Sequence, residues 1–409
     1  MNTEKDKISR VKKAILTTDQ NSSLKDVIDS DESAFSGVRM LYSTNFSGAQ
    51  LQVDSSLKHI VSGIFAKDRL LAYSDSIRNE MELGKSAICF KQRALLDTNL
   101  LSDLPKHFKG IKITTTEKIE DVLSVLERVY GGGFDYSFAM LENLRQFICD
   151  NNPHPVNKVS AAIYFDHKLR GAINKSNTKG DIFEPYIEQA ESVWMNFRSS
   201  EVVWGHIDRR DLVYAVMLKT FHMCWTSTNI TIEMALHNLV DYCLDVLGVL
   251  PLKEIYFAWK VVIGFSIGFF TPVFDEGSLK SPKDDSVKRI GALAWDLFIF
   301  RFTETLLTEE TGNNFYIPSV TTLDKGLLDT ISSCPVKAMI SFPELKYVET
   351  IFEDELHFQQ CLDFSMSAKQ KGIVLDVGRG IKGAKKSRQC MSISISELEK
   401  SIKKLTSQR

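Results

Sequence analysis

The chain has 409 residues, 44% of them hydrophobic and 25% charged, with a formal net charge of −2. These proportions are typical of a globular protein of two to three domains, and the near-neutral charge excludes a general electrostatic attraction to nucleic acid. The seven cysteines show no Cys-x-x-Cys pair. This pattern argues against a zinc site and favours free thiols in a reducing, cytoplasmic compartment. The longest apolar stretch, residues 261–270, is shorter than the roughly 20 residues of a membrane-spanning helix, so no membrane segment is expected.

The first 90 residues predict a small α+β extension without an evident function. Residues 1–35 are polar and charged and predict a frayed arm or short helices. Residues 38–43 and 49–53 have the composition of short strands, whereas residues 57–65 fit a strand or the start of a helix equally well.

The segment Arg93–Leu101 predicts a short buried strand that ends in a carboxylate. Its apolar run stops at Asp97, and Thr98 and Asn99 follow directly. In open α/β sheets, ligands bind at the edge formed by the carboxyl ends of the strands. An amphipathic helix is expected over residues 117–129, with Thr116 as its N-cap.

Glu142 lies on a second predicted helix, over residues 136–149. The three glycines at 131–133 connect the two helices. A continuous helical pattern follows and predicts an all-helical insertion over residues 151–286. His222 and His237 lie among apolar residues of this insertion and are interpreted as core histidines. If the insertion binds substrate, Arg209, Arg210 and the nearby aromatic residues are the expected contacts, since cations beside aromatic rings hold single strands.

Two further acidic residues stand at comparable positions later in the chain. Asp296 interrupts the apolar face of a helix predicted over residues 287–307. The strand-like segment Phe315–Asp324 ends in its acidic residue, and another helix begins at Lys325. A last strand is expected at residues 338–342. The alternation of strands and helices at both ends predicts a parallel α/β sheet.

Buried carboxylates repel one another, and a divalent cation is the usual solution. Simpler explanations stay open for each residue. Asp97 and Asp324 could be helix N-caps, and Glu142 could be an ordinary surface residue. No Ser/His/Asp, Gly-x-Ser-x-Gly or His-Glu-x-x-His pattern provides a different chemistry.

These segments, in this order, resemble the PIN-domain nucleases. In that family a first strand ends in Asp-Thr-Asn, a Glu follows on an early helix, a third carboxylate lies on a late helix, and a Thr-x-Asp closes the site. The matching residues here are Asp97, Glu142, Asp296 and Thr322-Leu323-Asp324. The family's domain is far shorter than the span from Asp97 to Asp324, so a large insertion must separate two halves.

The resemblance implies a PIN-like parallel core in two parts, residues 91–150 and 287–345, followed by an extension over residues 346–409. It also implies a nuclease that uses Mg²⁺ or Mn²⁺ to hydrolyse phosphodiester bonds. Asp97, Asp296 and Asp324 would be metal ligands. Glu142 would bind a metal or orient its water. Two supporting residues are implied as well: Asn99 would hold the turn, and Thr322 would hydrogen-bond a ligand carboxylate or a phosphate.

Such enzymes are often toxins or RNA-processing enzymes, so RNA is favoured over DNA and an antiviral-defence role is compatible. A homo-oligomer and a regulatory protein partner stay open. Residues 368–409 contain eleven Lys or Arg against three Asp or Glu. The basic cluster, defined as Lys382, Lys385, Lys386 and Arg388, lies among glycines that predict a flexible, nucleic-acid-binding tail. For the tail, the competing interpretation is that residues 391–395 form an edge strand and belong to the fold. For the whole protein, the competing interpretation is a non-catalytic helical scaffold with a vestigial nuclease core.

Overall fold

The structure, a computed structural model, is a mixed α/β protein in which helices predominate. It describes residues 2–18, 23–45, 49–50, 59–84, 88–112, 116–128, 133–146, 154–171, 181–227, 229–268, 279–308, 314–375 and 379–407. The strands are β1 (Arg39–Thr44), β2 (Ala49–Gln50), β3 (Val61–Gly63), β4 (Arg69–Tyr73), β5 (Cys89–Leu96), β6 (Phe134–Asp135), β7 (Asn314–Thr321), β8 (Val336–Phe342) and β9 (Tyr347–Phe352).

The helices before the middle of the chain are α1 (Asn2–Thr17), α2 (Leu24–Ser30), α3 (Glu32–Phe35), α4 (Asp75–Glu82), α5 (Thr98–Phe108), α6 (Thr116–Arg128), α7 (Ser137–Gln146), α8 (His154–Leu169) and α9 (Ile187–Ser199). Those after it are α10 (Glu201–Thr226), α11 (Ile232–Asp241), α12 (Leu252–Ile267), α13 (Ser286–Thr308), α14 (Lys325–Ser333), α15 (Glu355–Ser365), α16 (Ala368–Leu375) and α17 (Arg379–Ser407). A π-helical turn, Tyr242–Leu247, continues α11. None of the helices in the described ranges combines the length and hydropathy that a membrane crossing requires.

The chain divides into two compact units. Unit 1 consists of Met1–Ile207, Phe302–Leu328 and Val336–Thr350, and unit 2 consists of Asp208–Arg301, Asp329–Pro335 and Ile351–Arg409. The helices α10 and α13 each contribute residues to both units. Both sheets belong to unit 1, apart from the last two residues of β9.

The first sheet of unit 1 has the strand order β3-β7-β5-β6. The central strand β5 runs parallel to both β7 and β6, and β3 is antiparallel to β7. In the register of the central pair, Leu96 lies opposite Thr321. The two strands therefore end at the same edge of the sheet, and the turns that follow them both start from that edge.

The second sheet has the order β2-β4-β1-β8-β9 and corrects one expectation. Residues 338–342 do form a strand, but β8 pairs antiparallel with β1 of the N-terminal extension, Met40 facing Ile340. The strand therefore does not extend the parallel sheet. Every residue of β1 is buried, and six of the seven in β8 are too. Strands covered on both faces lack the alternation that would have indicated their partner.

The parallel sheet is packed against helices of unit 1 through one apolar core. Leu96 at the end of β5 and Leu100 and Leu104 on α5 are at most 1% exposed. Apolar residues of α6 and α8 complete this cluster, among them Val122 and Phe165. The spacing of four between Leu100 and Leu104 places both on one helix face, which fixes α5, and with it Asp97, against the sheet.

The described residues between 154 and 268 contain helices and turns and no strand, as the helical pattern predicts. In unit 2, the basic tail differs from both expectations. Residues 379–407 form one helix, α17, rather than a flexible chain or an edge strand at residues 391–395. Its later half is packed: Ile402 is fully buried, and Ser394 hydrogen-bonds the Tyr242 hydroxyl at 2.7 Å.

Candidate active site

Asp97 stands at the junction of β5 and α5, where it is both buried and hydrogen-bonded. It is 7% exposed and caps α5, since its Oδ1 accepts a hydrogen bond from Thr98 N at 2.7 Å. Its Oδ2 accepts a second hydrogen bond from Thr322 Oγ1 at 2.8 Å. The N-cap explanation therefore holds for this carboxylate.

The segment Thr322-Leu323-Asp324 forms a hydrogen-bonded turn after β7. Thr322 Oγ1, which donates to Asp97, also accepts from Asp324 N at 2.9 Å. Asp324 Oδ1 accepts from Gly326 N at 2.7 Å, and its side chain is exposed. One fully buried threonine hydroxyl thus ties the two acidic strand ends together. The predicted role of Thr322 as a partner of a site carboxylate agrees with this contact.

Charge and burial raise the pKa of Asp97 to about 6. Burial is the largest cause, and the charges of Glu142 and Asp324 add to it. The hydrogen bonds from Thr322 and Thr98 act in the opposite direction. The sequence predicted such a rise from mutual repulsion, but desolvation is the stronger effect here. Since Glu142 and Asp324 both act on Asp97, these three carboxylates share one electrostatic neighbourhood in unit 1.

Glu142 lies on α7 and is half-buried. That helix packs against both β5 and α5, which brings it towards the Asp97 end of the strand. Asn99, the other residue of the Asp-Thr-Asn motif, is exposed in the first turn of α5.

The other predicted site residues lie in unit 2. Asp296 is half-buried on α13, in the part of that helix assigned to unit 2. The basic cluster falls in the helical backbone of α17, with its side chains outside the described part of the structure.

Arg210 proves to be a packing residue rather than an exposed contact. Its guanidinium lies 4.7 Å from the Tyr214 ring centroid and 4.8 Å from that of Trp295, and its Nη2 donates to Gly291 O at 2.9 Å. It therefore joins α10 to α13 within unit 2. Trp295, one of the two rings, directly precedes Asp296. His222, half-buried on α10, has its pKa lowered by burial and by Lys219, as befits a neutral interior histidine.

Asp97, Glu142 and Asp324 are carboxylates, which are common ligands of Mg²⁺ and Mn²⁺. In the described structure, however, these side chains are not grouped around one point where an ion could bind. No lysine, arginine or histidine of the described chain pairs with the Asp97 carboxylate. Among the described residues, the neighbouring Thr98 Oγ1 and Thr321 Oγ1 are buried without a hydrogen-bond partner. In the ranges that the structure describes, no three His, Cys, Asp or Glu side chains are close enough to hold a metal ion. Asp324 is exposed, and Glu142 is half-buried.

A buried cation beside this site was not predicted from the sequence. Lys158 on α8 is 3% exposed, and its Nζ donates to Asn143 Oδ1 at 2.5 Å. Asn143 directly follows Glu142, and its Nδ2 donates to Ala139 O at 2.6 Å. One signal could have revealed Lys158: it immediately precedes the buried run Val159–Ile163, where a lysine is unusual.

Comparison of the chain with protein-family models, with curated proteins and with solved structures finds no match.

Proposed function

We propose that the protein is a metal-dependent nuclease of PIN-like type, with RNA favoured as substrate. One observation carries the proposal. The buried carboxylate of Asp97 lies at the shared end of two parallel strands, among other acids and, within the described ranges, without a paired side-chain cation. An aspartate with a pKa of about 6 has a strong tendency to accept either a proton or a metal ion. The order of acidic segments along the chain gives the same indication.

Each residue of this edge has a definite task in the proposal. Asp97, with Asp324, would hold Mg²⁺ or Mn²⁺. Such an ion supplies an activated water and neutralises charge on the scissile phosphate. Thr322 fixes the Asp97 carboxylate and the turn carrying Asp324 through the two hydrogen bonds of its hydroxyl. Glu142 adds negative charge on the α7 side and orients water.

Incubation with labelled single-stranded RNA and DNA, in Mn²⁺, in Mg²⁺ or in EDTA, tests the proposal. We expect cleavage with either metal, none in EDTA, and faster cleavage of RNA. Asp97→Asn should reduce the rate at least about 100-fold, since removal of a ligand takes the ion's charge out of the reaction. Asp121→Asn, which alters an exposed carboxylate on α6, is the matched control and should leave the rate unchanged.

The second candidate is a non-catalytic protein with a vestigial nuclease core. It is favoured by the lack, in the described ranges, of three ligating side chains within reach of one ion. The same assay separates the candidates. Equal, EDTA-insensitive rates for wild type and Asp97→Asn would assign any cleavage to a contaminant and leave the scaffold.

A further inference from the structure

The far end of the helix that Asp97 caps carries aromatic rings that are only partly buried. The aromatic surface, at the ends of α5 and α8 and in the helical turn Glu184–Tyr186, consists of Phe108, Tyr164, His167, Lys168 and Tyr186. Its four rings are half-buried, and the Lys168 side chain is exposed. All five residues lie in unit 1, as Asp97 does.

The rings of the aromatic surface pack edge to face and so hold one another in defined orientations. The Tyr164 ring centroid lies 5.1 Å from that of Phe108 and 5.8 Å from that of Tyr186, with interplanar angles of 71° and 74°. The His167 and Tyr186 ring centroids are 5.2 Å apart at 72°. Edge-to-face pairs of this kind are a favourable arrangement of aromatic side chains. Because the rings are already ordered, a ligand that stacks on them costs little side-chain entropy.

Two lysine ammonium groups lie over rings in this region. Lys168 Nζ is 5.7 Å from the ring centroid of Phe108, and Lys109 Nζ is 5.2 Å from that of the buried Phe183. Lys109 also forms an ion pair with Asp181 at 2.7 Å. Aromatic rings beside cations are the combination that holds single-stranded nucleic acid, because bases stack on the rings and phosphates contact the cations.

The acidic residues of these elements limit the charge of the surface. Asp166 forms an ion pair with Arg170 at 3.0 Å, and Glu184 is exposed. Lys168, which lies over a ring, therefore offers a positive charge to about one phosphate. Stacking on the rings has to supply most of the affinity, which favours a single strand over a duplex whose bases are already stacked.

The position of the aromatic surface fits a strand that also reaches Asp97. Helix α5 begins directly after Asp97 and has 11 residues. At a rise of about 1.5 Å per residue, its far end lies about 16 Å from Asp97 along the helix axis. Even at the duplex spacing of about 3.4 Å, no more than about five nucleotides cover that distance.

We propose that the aromatic surface binds single-stranded RNA within about five nucleotides of the Asp97 edge, with bases stacked on its rings and a phosphate at Lys168. The inference rests on the proposed function for the choice of RNA as ligand. Its binding step requires neither a metal ion nor cleavage, so the two can fail separately.

Fluorescence anisotropy of a labelled 12-nucleotide single-stranded RNA with the full chain, in EDTA, tests the binding step. Tyr186→Leu should weaken the affinity at least about fivefold, because a stacking ring is lost. Tyr186→Phe keeps the ring and should bind as wild type does. Tyr347→Leu, which alters a tyrosine of unit 1 that is 39% exposed on β9, is the matched control and should also bind as wild type does. Unlabelled duplex RNA of the same length should compete weakly.

The salt dependence of binding tests the role of Lys168. Lys168→Gln should flatten the log–log slope by about 0.7, the value for one phosphate of a single strand. Lys118→Gln, at an exposed position of α6, is the matched control and should leave the slope unchanged. In Mn²⁺, Tyr186→Leu should raise KM for the 12-nucleotide RNA with kcat unchanged. A dinucleotide is too short to reach the surface from Asp97 and should show the same KM with both proteins.

The alternative is that the rings fill space and that the basic residues in the last turns of α5 and α8 only complement the helix dipoles. A lower melting temperature of Tyr186→Leu with unchanged RNA affinity would establish it and overturn the inference, as would a wild type that does not bind the RNA. Should Tyr186→Leu fail to fold, Lys168→Gln at its exposed position still decides through the salt slope. If wild type binds RNA through Tyr186 but cleaves it with neither metal, the proposed function fails and this inference stands. If wild type cleaves RNA and Tyr186→Leu binds it equally tightly, only this inference fails.

Discussion

The raised pKa of Asp97 has a consequence for stability that does not require a substrate. An aspartate in the unfolded chain titrates near 3.8, whereas folded Asp97 titrates at about 6. Between these values the unfolded state holds fewer protons than the folded state, so the free energy of unfolding falls as the pH rises. Two pKa units correspond to a loss of at most about 3 kcal/mol by neutral pH.

Asp97→Asn should remove this dependence, because asparagine does not ionise. The free energy of unfolding of the variant, relative to wild type, should therefore improve by up to about 3 kcal/mol between pH 4 and pH 7. Urea unfolding in EDTA at both pH values measures it, with Asp121→Asn as the control that should follow wild type. If the free energies of unfolding of Asp97→Asn and wild type changed with pH in parallel, folding would not raise the pKa of Asp97. Asp97 would then act only as an N-cap.

Thr322 is the residue on which the geometry of the edge depends most directly. Thr322→Val keeps the shape of this fully buried side chain but removes the hydroxyl that bridges Asp97 and Asp324 N. We expect a loss of about 2 kcal/mol in the free energy of unfolding, because a buried carboxylate loses a donor. The pKa of Asp97 should also rise further, which NMR titration of its side-chain carbon measures. Thr322→Ser should restore both values, and failure to do so would indicate that the methyl group matters more.

Among the elements, α13 is held in unit 2 by the Arg210 guanidinium between two aromatic rings. Arg210→Lys keeps the charge but loses the planar stacking and the fork of donors. We expect it to lower the free energy of unfolding by about 1–2 kcal/mol. Arg209→Lys, an exposed neighbour on the same helix, should have no measurable effect in the same urea titration. Equal stability of the two variants would mean that the stacking contributes nothing.

The helix α17 has its buried residues, among them Met391 and Ile402, after the basic cluster, so packing and the proposed nucleic-acid binding can be tested separately. Replacing all four residues of the basic cluster by glutamine should weaken nucleic-acid binding without changing the melting temperature. The salt dependence of binding should flatten by roughly one log–log unit for each phosphate that the variant no longer neutralises. Ile402→Ala should lower the free energy of unfolding by about 2–4 kcal/mol and leave affinity unchanged. Fluorescence anisotropy across a salt series and thermal melts measure both. Truncation of the whole tail would mix these effects, because it removes a packed helix.

The elements that sequence reasoning located are those with a strong local signal. The strand ending at Asp97, the helix with Glu142 and the helix with Asp296 have clear periodicity and turn residues at their ends. The pairing of β8 with β1 could not be predicted, since a buried strand carries no information about its neighbour. The burial of Lys158 likewise depends on how α5, α7 and α8 pack. The helical form of residues 379–407 was missed because glycine and serine outweighed the amphipathic spacing that buries Met391, Ser394 and Ile402.

At the scale of the whole molecule, metal binding should appear as a gain in stability. Mn²⁺ at 100 times its dissociation constant should add about 2.7 kcal/mol to the unfolding free energy of wild type, because only the folded state holds the site. Asp97→Asn should lose this gain, and Asp121→Asn should keep it. Calorimetry with and without EDTA measures the effect. Retention of the full gain in Asp97→Asn would show that Asp97 does not hold the ion, against the proposed function.

Because β5 pairs with β7, the sheet edge at Asp97 can form only after β7 has been synthesised. Thr322 follows its partner Asp97 by 225 residues, and β1 must likewise await β8. At about 5–20 residues per second, a ribosome needs roughly 10–45 s to make that intervening chain. Until then Asp97 has neither its threonine donor nor Asp324 nearby. A nascent chain that ends before residue 324 therefore lacks the sheet edge on which the proposed function depends.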